Sequence, residues 1–126
     1  MVTAVTFGAW NVRTLLDRAG NNRPERRTAL IASELARYKV QIAALSETRL
    51  AEEGHLTEQS AGYTFFWIGR GHNERHEAGV GFAIKSNLVK KLAARPKGIS
   101  DGMLTARLPL SKQKVATLIS GYTPTR

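Results

Sequence analysis

The sequence contains no cysteine. This removes disulfides and thiolate zinc sites from consideration and agrees with a reducing compartment, so an intracellular location, nuclear or cytoplasmic, is expected. No stretch approaches the roughly eighteen continuous apolar residues that a membrane span needs. The opening residues, MVTAVTFGAW, lack a basic leading region, and their Thr and Gly interrupt any apolar run, so no secretory signal is read there. Internal repeats and low-complexity runs are missing as well. Acidic residues are scarce in one part of the chain only. Residues 1–77 are nearly balanced, whereas residues 78–126 hold nine Lys/Arg against a single acid, Asp101.

What is present suffices for one modest core: 126 residues, 42% of them apolar, with a net charge of +9. A basic half of this kind attracts polyanions through counterion release, nucleic acid foremost. The competing account is that the basic side chains only keep the surface soluble.

TAVTFGAWNV (3–12) is rich in β-branched and aromatic residues and predicts a strand. Gly, two Asn and Pro24 then mark a loop and a helix start, since proline suits a first helical turn. Ile31, Leu35 and Tyr38, with Leu30 beside them, form an apolar stripe, and Arg27, Glu34 and Arg37 are left to face water. VQIAALSE (40–47) is apolar without alternation, as suits a strand covered on both faces. Strand, helix, strand within this span predicts a βαβ unit with parallel strands. Beyond it, EEGHLTEQSAG reads as a loop, YTFFWIG (63–69) and GVGFAIK (79–85) as strands, and SNLVKKLA as a helical turn capped by Ser86. MLTARLPL and KVATLISGY alternate in period two and predict a hairpin, with Pro109 near a strand end where a lost ladder bond is cheapest. The expected class is α/β with α+β character: one mixed sheet of five or six strands with a helix on one face. Its other face needs a second cover that this reading does not find, so residues 1–126 are expected to form part of a larger domain.

Parallel strands would place Asn11 and Glu47 together at their C-terminal ends, the rim where α/β proteins put ligands. A carboxylate there can anchor Mg²⁺, which takes oxygen ligands and keeps several waters. The amide of Asn11 can orient that carboxylate or hold a phosphate oxygen. The plainer account makes Asn11 a turn residue and Glu47 a solvated strand end. His72 and His76 have a spacing used by zinc ligands on helices, but Gly71 and Asn73 argue for a solvated loop, and His55 reads as a surface loop residue.

WNVRT, LSETRL, GVGFAI and ISGYTPT, in that order, resemble the N-terminal half of the endonuclease/exonuclease/phosphatase superfamily. With RRTALIASELARYKVQIAALSETRL, GYTFFWIGR and EAGVGFAIKSNLVKKL, the chain is more closely similar to the endonuclease domain of RTE/BovB-like non-LTR retrotransposons, a group that includes craniofacial development protein 2-like sequences. The resemblance spans essentially all 126 residues. It implies half of a four-layered α/β/β/α sandwich of the DNase I-like type, a Mg²⁺ cofactor with Mn²⁺ as a substitute, and DNA as partner. It also implies roles for three residues. Glu47 would be the metal ligand, Asn11 would contact the scissile phosphate or the metal's surroundings, and Tyr122 would lie beside the phosphate. Read from its own position, Tyr122 is equally a strand-end aromatic covering the core.

The chain departs from that pattern in two ways. Arg13 stands where abasic-site endonucleases tend to have an acid, which trades a metal contact for a phosphate contact. The Asp-x-Asn and Ser-Asp-His motifs of the family's second half do not occur in these 126 residues, and no residue qualifies as a general base. The expected function is therefore a Mg²⁺-dependent DNA endonuclease domain with little or no activity in this chain by itself. The alternatives are a non-catalytic nucleic-acid-binding remnant and a phosphatase or phosphodiesterase of the same fold acting on small phosphorylated molecules. Exposed apolar sheet makes self-association an expected property.

Overall fold

The computed structural model describes residues 5–12, 15, 27–46, 48, 50, 53–69, 79–100, 103–109 and 115–121. In chain order these form β1 (Phe7–Asn11), α1 (Arg27–Arg37), β2 (Ile42–Ser46), β3 (Glu53–Glu58), β4 (Tyr63–Ile68), β5 (Val80–Lys85), the short α2 (Ser86–Val89), β6 (Lys97–Ser100), β7 (Met103–Pro109) and β8 (Val115–Gly121). No described helix is long and apolar enough to cross a membrane.

Side chains alternate between the faces of a strand, and β2, β4 and β5 are apolar on both. One set, Ile42, Phe66, Val80, Phe82 and Ile84, is buried with Leu104, Ala106 and Leu108 of β7. The other set, Ala43, Leu45, Tyr63, Phe65 and Ala83, is buried with Ile31, Ala32 and Leu35 of α1. Each large side chain removed from water in this way contributes about 1.5–3 kcal/mol. The result is an α+β arrangement of three layers: helix, five-stranded sheet, three-stranded sheet. The first sheet runs β1-β2-β5-β4-β3, with β1 and β2 parallel and the remaining pairs antiparallel. The second runs β6-β7-β8, antiparallel throughout.

The expectation of one mixed sheet with a bare face is thus corrected. The β7–β8 hairpin forms as expected, but it pairs with β6 in a separate sheet that stacks on the first instead of adding strands to it. Its inward residues Leu104, Ala106 and Leu108 then cover the face that had lacked a partner. The segment read as a loop after residue 50 contains β3. Its alternation is weak because this strand lies at the sheet edge, with Glu53, His55 and Thr57 exposed and only Glu58 fully buried. Glu58 accepts a hydrogen bond from the Thr28 hydroxyl of α1. β6 also escaped the sequence reading; it is short and its register slips between Gly98 and Ser100.

Two local expectations change as well. Ser86 does not cap α2. It is the first helical residue, Lys85 precedes it without a side-chain cap, and its hydroxyl pairs with Thr64 at 3.0 Å. Tyr38 is not part of the apolar stripe. The helix ends at Arg37, the chain reverses through Lys39 at φ 58°, and the Val40 amide donates back to Leu35 at 2.9 Å. That reversal leaves Tyr38 67% exposed, with the Arg37 guanidinium 5.2 Å over its ring. Gly81 has a different necessity: a Cβ there would collide with the Phe66 carbonyl of β4.

Lys39 occupies a left-handed position where a Cβ is unfavourable and glycine is the usual helix-ending residue. Lys39→Gly is expected to raise stability by about 0.5–1 kcal/mol, read as a higher urea midpoint. A second prediction concerns Tyr63, whose phenol donates to the Val40 carbonyl. Burial pushes that phenol above its ordinary value of 10.0. The folded chain then holds the proton more tightly than the unfolded one. The stabilisation is complete below about pH 10 and is lost as pH rises through the folded value. Tyr63→Phe should cost about 1 kcal/mol at neutral pH and flatten the loss of stability above about pH 10, measured by urea melts across that range.

Candidate active-site cleft

The parallel pairing of β1 with β2 runs from Phe7↔Ile42 to Asn11↔Ser46, so both strands finish in one row. The Val12 amide extends the pairing by donating to the Ser46 carbonyl at 3.1 Å. Past the next residue, the Thr48 amide donates to Gly79 at 3.0 Å, and the Thr48 carbonyl accepts from Leu15 at 2.7 Å. Main chain on both sides of position 47 is therefore tied to the continuation of β1 and to the lead-in of β5. Glu47 itself lies outside the described residues.

The third wall comes from the other sheet. Ser120 alternates inward with Leu118 and Ala116 of β8, is buried, and donates its hydroxyl to the Leu45 carbonyl at 3.2 Å. This bond links the end of β8 to the end of β2. Between them opens a cleft of about 320 Å³ whose lining includes Trp10, Asn11, Ser46, Ile119 and Gly121. Tyr122, the next residue after Gly121, is also outside the described residues. Of the three candidate residues, then, Asn11 lines the cleft, and Glu47 and Tyr122 immediately follow two residues that line it.

Three contributors were not anticipated. Arg27, expected in water, donates from the start of α1 to the Val12 carbonyl at 3.1 Å, just behind the end of β1. Thr48 is completely buried, and its hydroxyl has no hydrogen-bond partner among the described residues. Ser120 could have been found from the alternation of ATLIS, which places it on the same face as Leu118. Arg27 and Thr48 leave no comparable trace, because their placement depends on contacts across elements.

Chemically, the described part of the cleft offers neutral oxygen donors, the Asn11 amide and the Ser46 hydroxyl, on an exposed rim. Oxygen donors suit a hard cation such as Mg²⁺ when a carboxylate joins them. Among the described residues no three His, Asp or Glu side chains come together as a metal-binding group. His55 lies on β3 at the opposite sheet edge, with its Nε2 3.2 Å from Arg95. His72, His76 and Arg13 are outside the described residues. No family model matches the chain, and neither does any curated protein.

Because Ser120 ties the two sheets at the cleft, Ser120→Ala is expected to cost about 1 kcal/mol of stability, the net worth of one hydrogen bond. It should also loosen the end of β8, seen as faster amide hydrogen exchange at Ile119 and Gly121 than at Leu104 or Leu108.

Proposed function

We propose that the chain is part of a Mg²⁺-dependent DNA endonuclease domain of the endonuclease/exonuclease/phosphatase type, with its chemistry at the cleft formed by the ends of β1, β2 and β8. The observation that carries this reading is the convergence of three segments far apart in sequence. Asn11, Ser46 and Gly121 line one cleft, and the last two immediately precede Glu47 and Tyr122. The helix, sheet, sheet layering is compatible with half of a four-layered DNase I-like sandwich, in which a further helical layer would lie against the outer face of β6-β7-β8. That face is apolar enough to accept one, with Val115 and Ile119 well exposed.

In this reading the Glu47 carboxylate would hold the cation, and Asn11 would hold a phosphate oxygen or orient that carboxylate. Bound Mg²⁺ would supply charge neutralisation on the phosphodiester and a more acidic water. The Tyr122 phenol would donate a hydrogen bond to charge developing on the phosphate. The Asp-x-Asn and Ser-Asp-His motifs do not occur in these residues, so the proposed activity of the 126-residue chain alone is weak or nil. The excess of basic residues after position 77 favours a long polyanion over a small phosphorylated substrate, because each added phosphate contact releases further counterions.

The test separates metal binding from turnover. Mn²⁺ should broaden the amide resonances of Asn11 and Ser46 in the wild type and leave them sharp in Glu47→Gln. Any Mg²⁺-dependent nicking of supercoiled plasmid should fall at least about tenfold in the same variant, as loss of an interaction worth more than about 1.4 kcal/mol requires. Equal broadening, or equal measurable nicking, in the two proteins removes Glu47 from the site.

A further inference from the structure

A second cleft, of about 470 Å³, opens on the opposite flank of the two sheets, between β3 and the segment leading into β6. Its chemistry differs from that of the first. Arg95 and Lys97 line it, both exposed, and among the described residues neither pairs with a carboxylate. Glu53 is the acid in its wall, and one carboxylate oxygen accepts the Gly98 amide at 3.0 Å. That bond sets the start of β6 against β3 and leaves two cations facing one engaged acid. A Cβ at Gly98 would push the Ile68 side chain aside.

His55 completes the wall. Its Nε2 stands 3.2 Å from the Arg95 guanidinium. The ring is tilted 37° to Phe66 with centroids 6.1 Å apart, and it is exposed. An exposed aromatic ring beside an anchored guanidinium and an ammonium matches a nucleotide: base or sugar against the ring, phosphate on the cations.

The two clefts belong to one row. The pairings Asn11↔Ser46, Ser46↔Val80, Val80↔Ile68 and Ile68↔Glu53 cross the first sheet from β1 to β3 at a single level. Four inter-strand steps make this roughly 19 Å. At about 3.4 Å per nucleotide of one strand, the clefts are some five or six nucleotides apart.

We propose that the β3–β6 cleft is a second nucleotide-binding subsite, in which Arg95 and Lys97 each hold a backbone phosphate of the same strand that lies at the β1–β2–β8 cleft. This rests on the reading of the chain as a nucleic-acid enzyme and adds a residue-level account of how the strand is held. Its role is binding and positioning, since nothing in it touches the reacting atoms.

The experiment compares salt-dependent binding of single-stranded oligonucleotides of about four and about twelve nucleotides to the wild type and to Arg95→Gln/Lys97→Gln. Two lost phosphate contacts on a single strand should flatten the slope of log K against log salt by about 1.4 for the twelve-mer. Between about 50 and 200 mM salt the variant should therefore lose about sevenfold less affinity than the wild type. The four-mer, too short to reach both clefts, should bind the wild type more weakly than the twelve-mer, and Arg95→Lys/Lys97→Arg should retain the wild-type slope. A twelve-mer slope equal in the wild type and the Gln variant overturns the subsite and leaves the proposed function standing. Failure of the wild type to bind either oligonucleotide overturns both.

Discussion

The two-sided apolarity of β2, β4 and β5 is the constraint from which the remaining architecture follows. A strand with Ile42 and Leu45 pointing opposite ways cannot leave either face in water without forfeiting about 1.5–3 kcal/mol for each large side chain. α1 satisfies one face. The other face is met by a hairpin whose inward residues, Leu104, Ala106 and Leu108, are apolar and whose outward residues mix Thr105, Arg107 and Thr117 with Val115 and Ile119. Once the hairpin is stacked, β8 has to run past the ends of β1 and β2. The Ser120–Leu45 bond records that crossing. The cleft is a consequence of covering the sheet.

Much of this was legible in sequence. Runs such as YTFFWI and VGFAIK are short, apolar and β-branched or aromatic, and the structure turns them into β4 and β5 within a residue of the expected bounds. The parallel pairing of β1 with β2 followed from a helix of suitable length between them. What failed were two of the four edge strands, the polar ones. β3 and β6 are edge strands, so they need no buried face of their own, and Glu, His, Lys and Gly residues are tolerated there. Such a segment has the composition of a loop, and periodicity cannot identify it. The assignment of strands to two sheets failed for a related reason. Alternation reports that one face is apolar but says nothing about which sheet that face meets.

The cleft was legible to a different degree at each position. Asn11 was expected at the C-terminal end of β1 beside the end of β2, and its register partner is Ser46. The expectation came from topology alone, because parallel strands joined by a helix must end on the same side. The approach of β8 was invisible without the resemblance, since the residues around Gly121 lie some 75 positions from those around Ser46 in a segment whose partner strand in the first sheet does not exist. Arg27 shows the opposite error. A charged residue on the polar side of a helical stripe is assigned to water by default, yet at the first turn of α1 it is close enough to reach the Val12 carbonyl. Helix periodicity orders residues around an axis and carries no information about what stands at the helix end.

Charge placement bears on why binding and chemistry would occupy different flanks. A resident Mg²⁺ and a phosphate-binding arginine compete for the same neighbourhood. Two unit positive charges 4 Å apart repel by about 4 kcal/mol at an effective dielectric constant of 20, and a divalent ion doubles that. Separation by roughly 19 Å puts the pair well beyond the screening length of about 8 Å at physiological salt, so the repulsion becomes negligible. A polyanion loses nothing by this arrangement, because it carries its own charges across the gap. The proposed division, with neutral oxygen donors at the ends of β1 and β2 and cations beside β3, is therefore the electrostatically cheaper way to hold both a metal and a nucleic-acid strand on one rim. It also ties the basic excess after residue 77 to position, since Arg95 and Lys97 stand at the flank remote from Asn11.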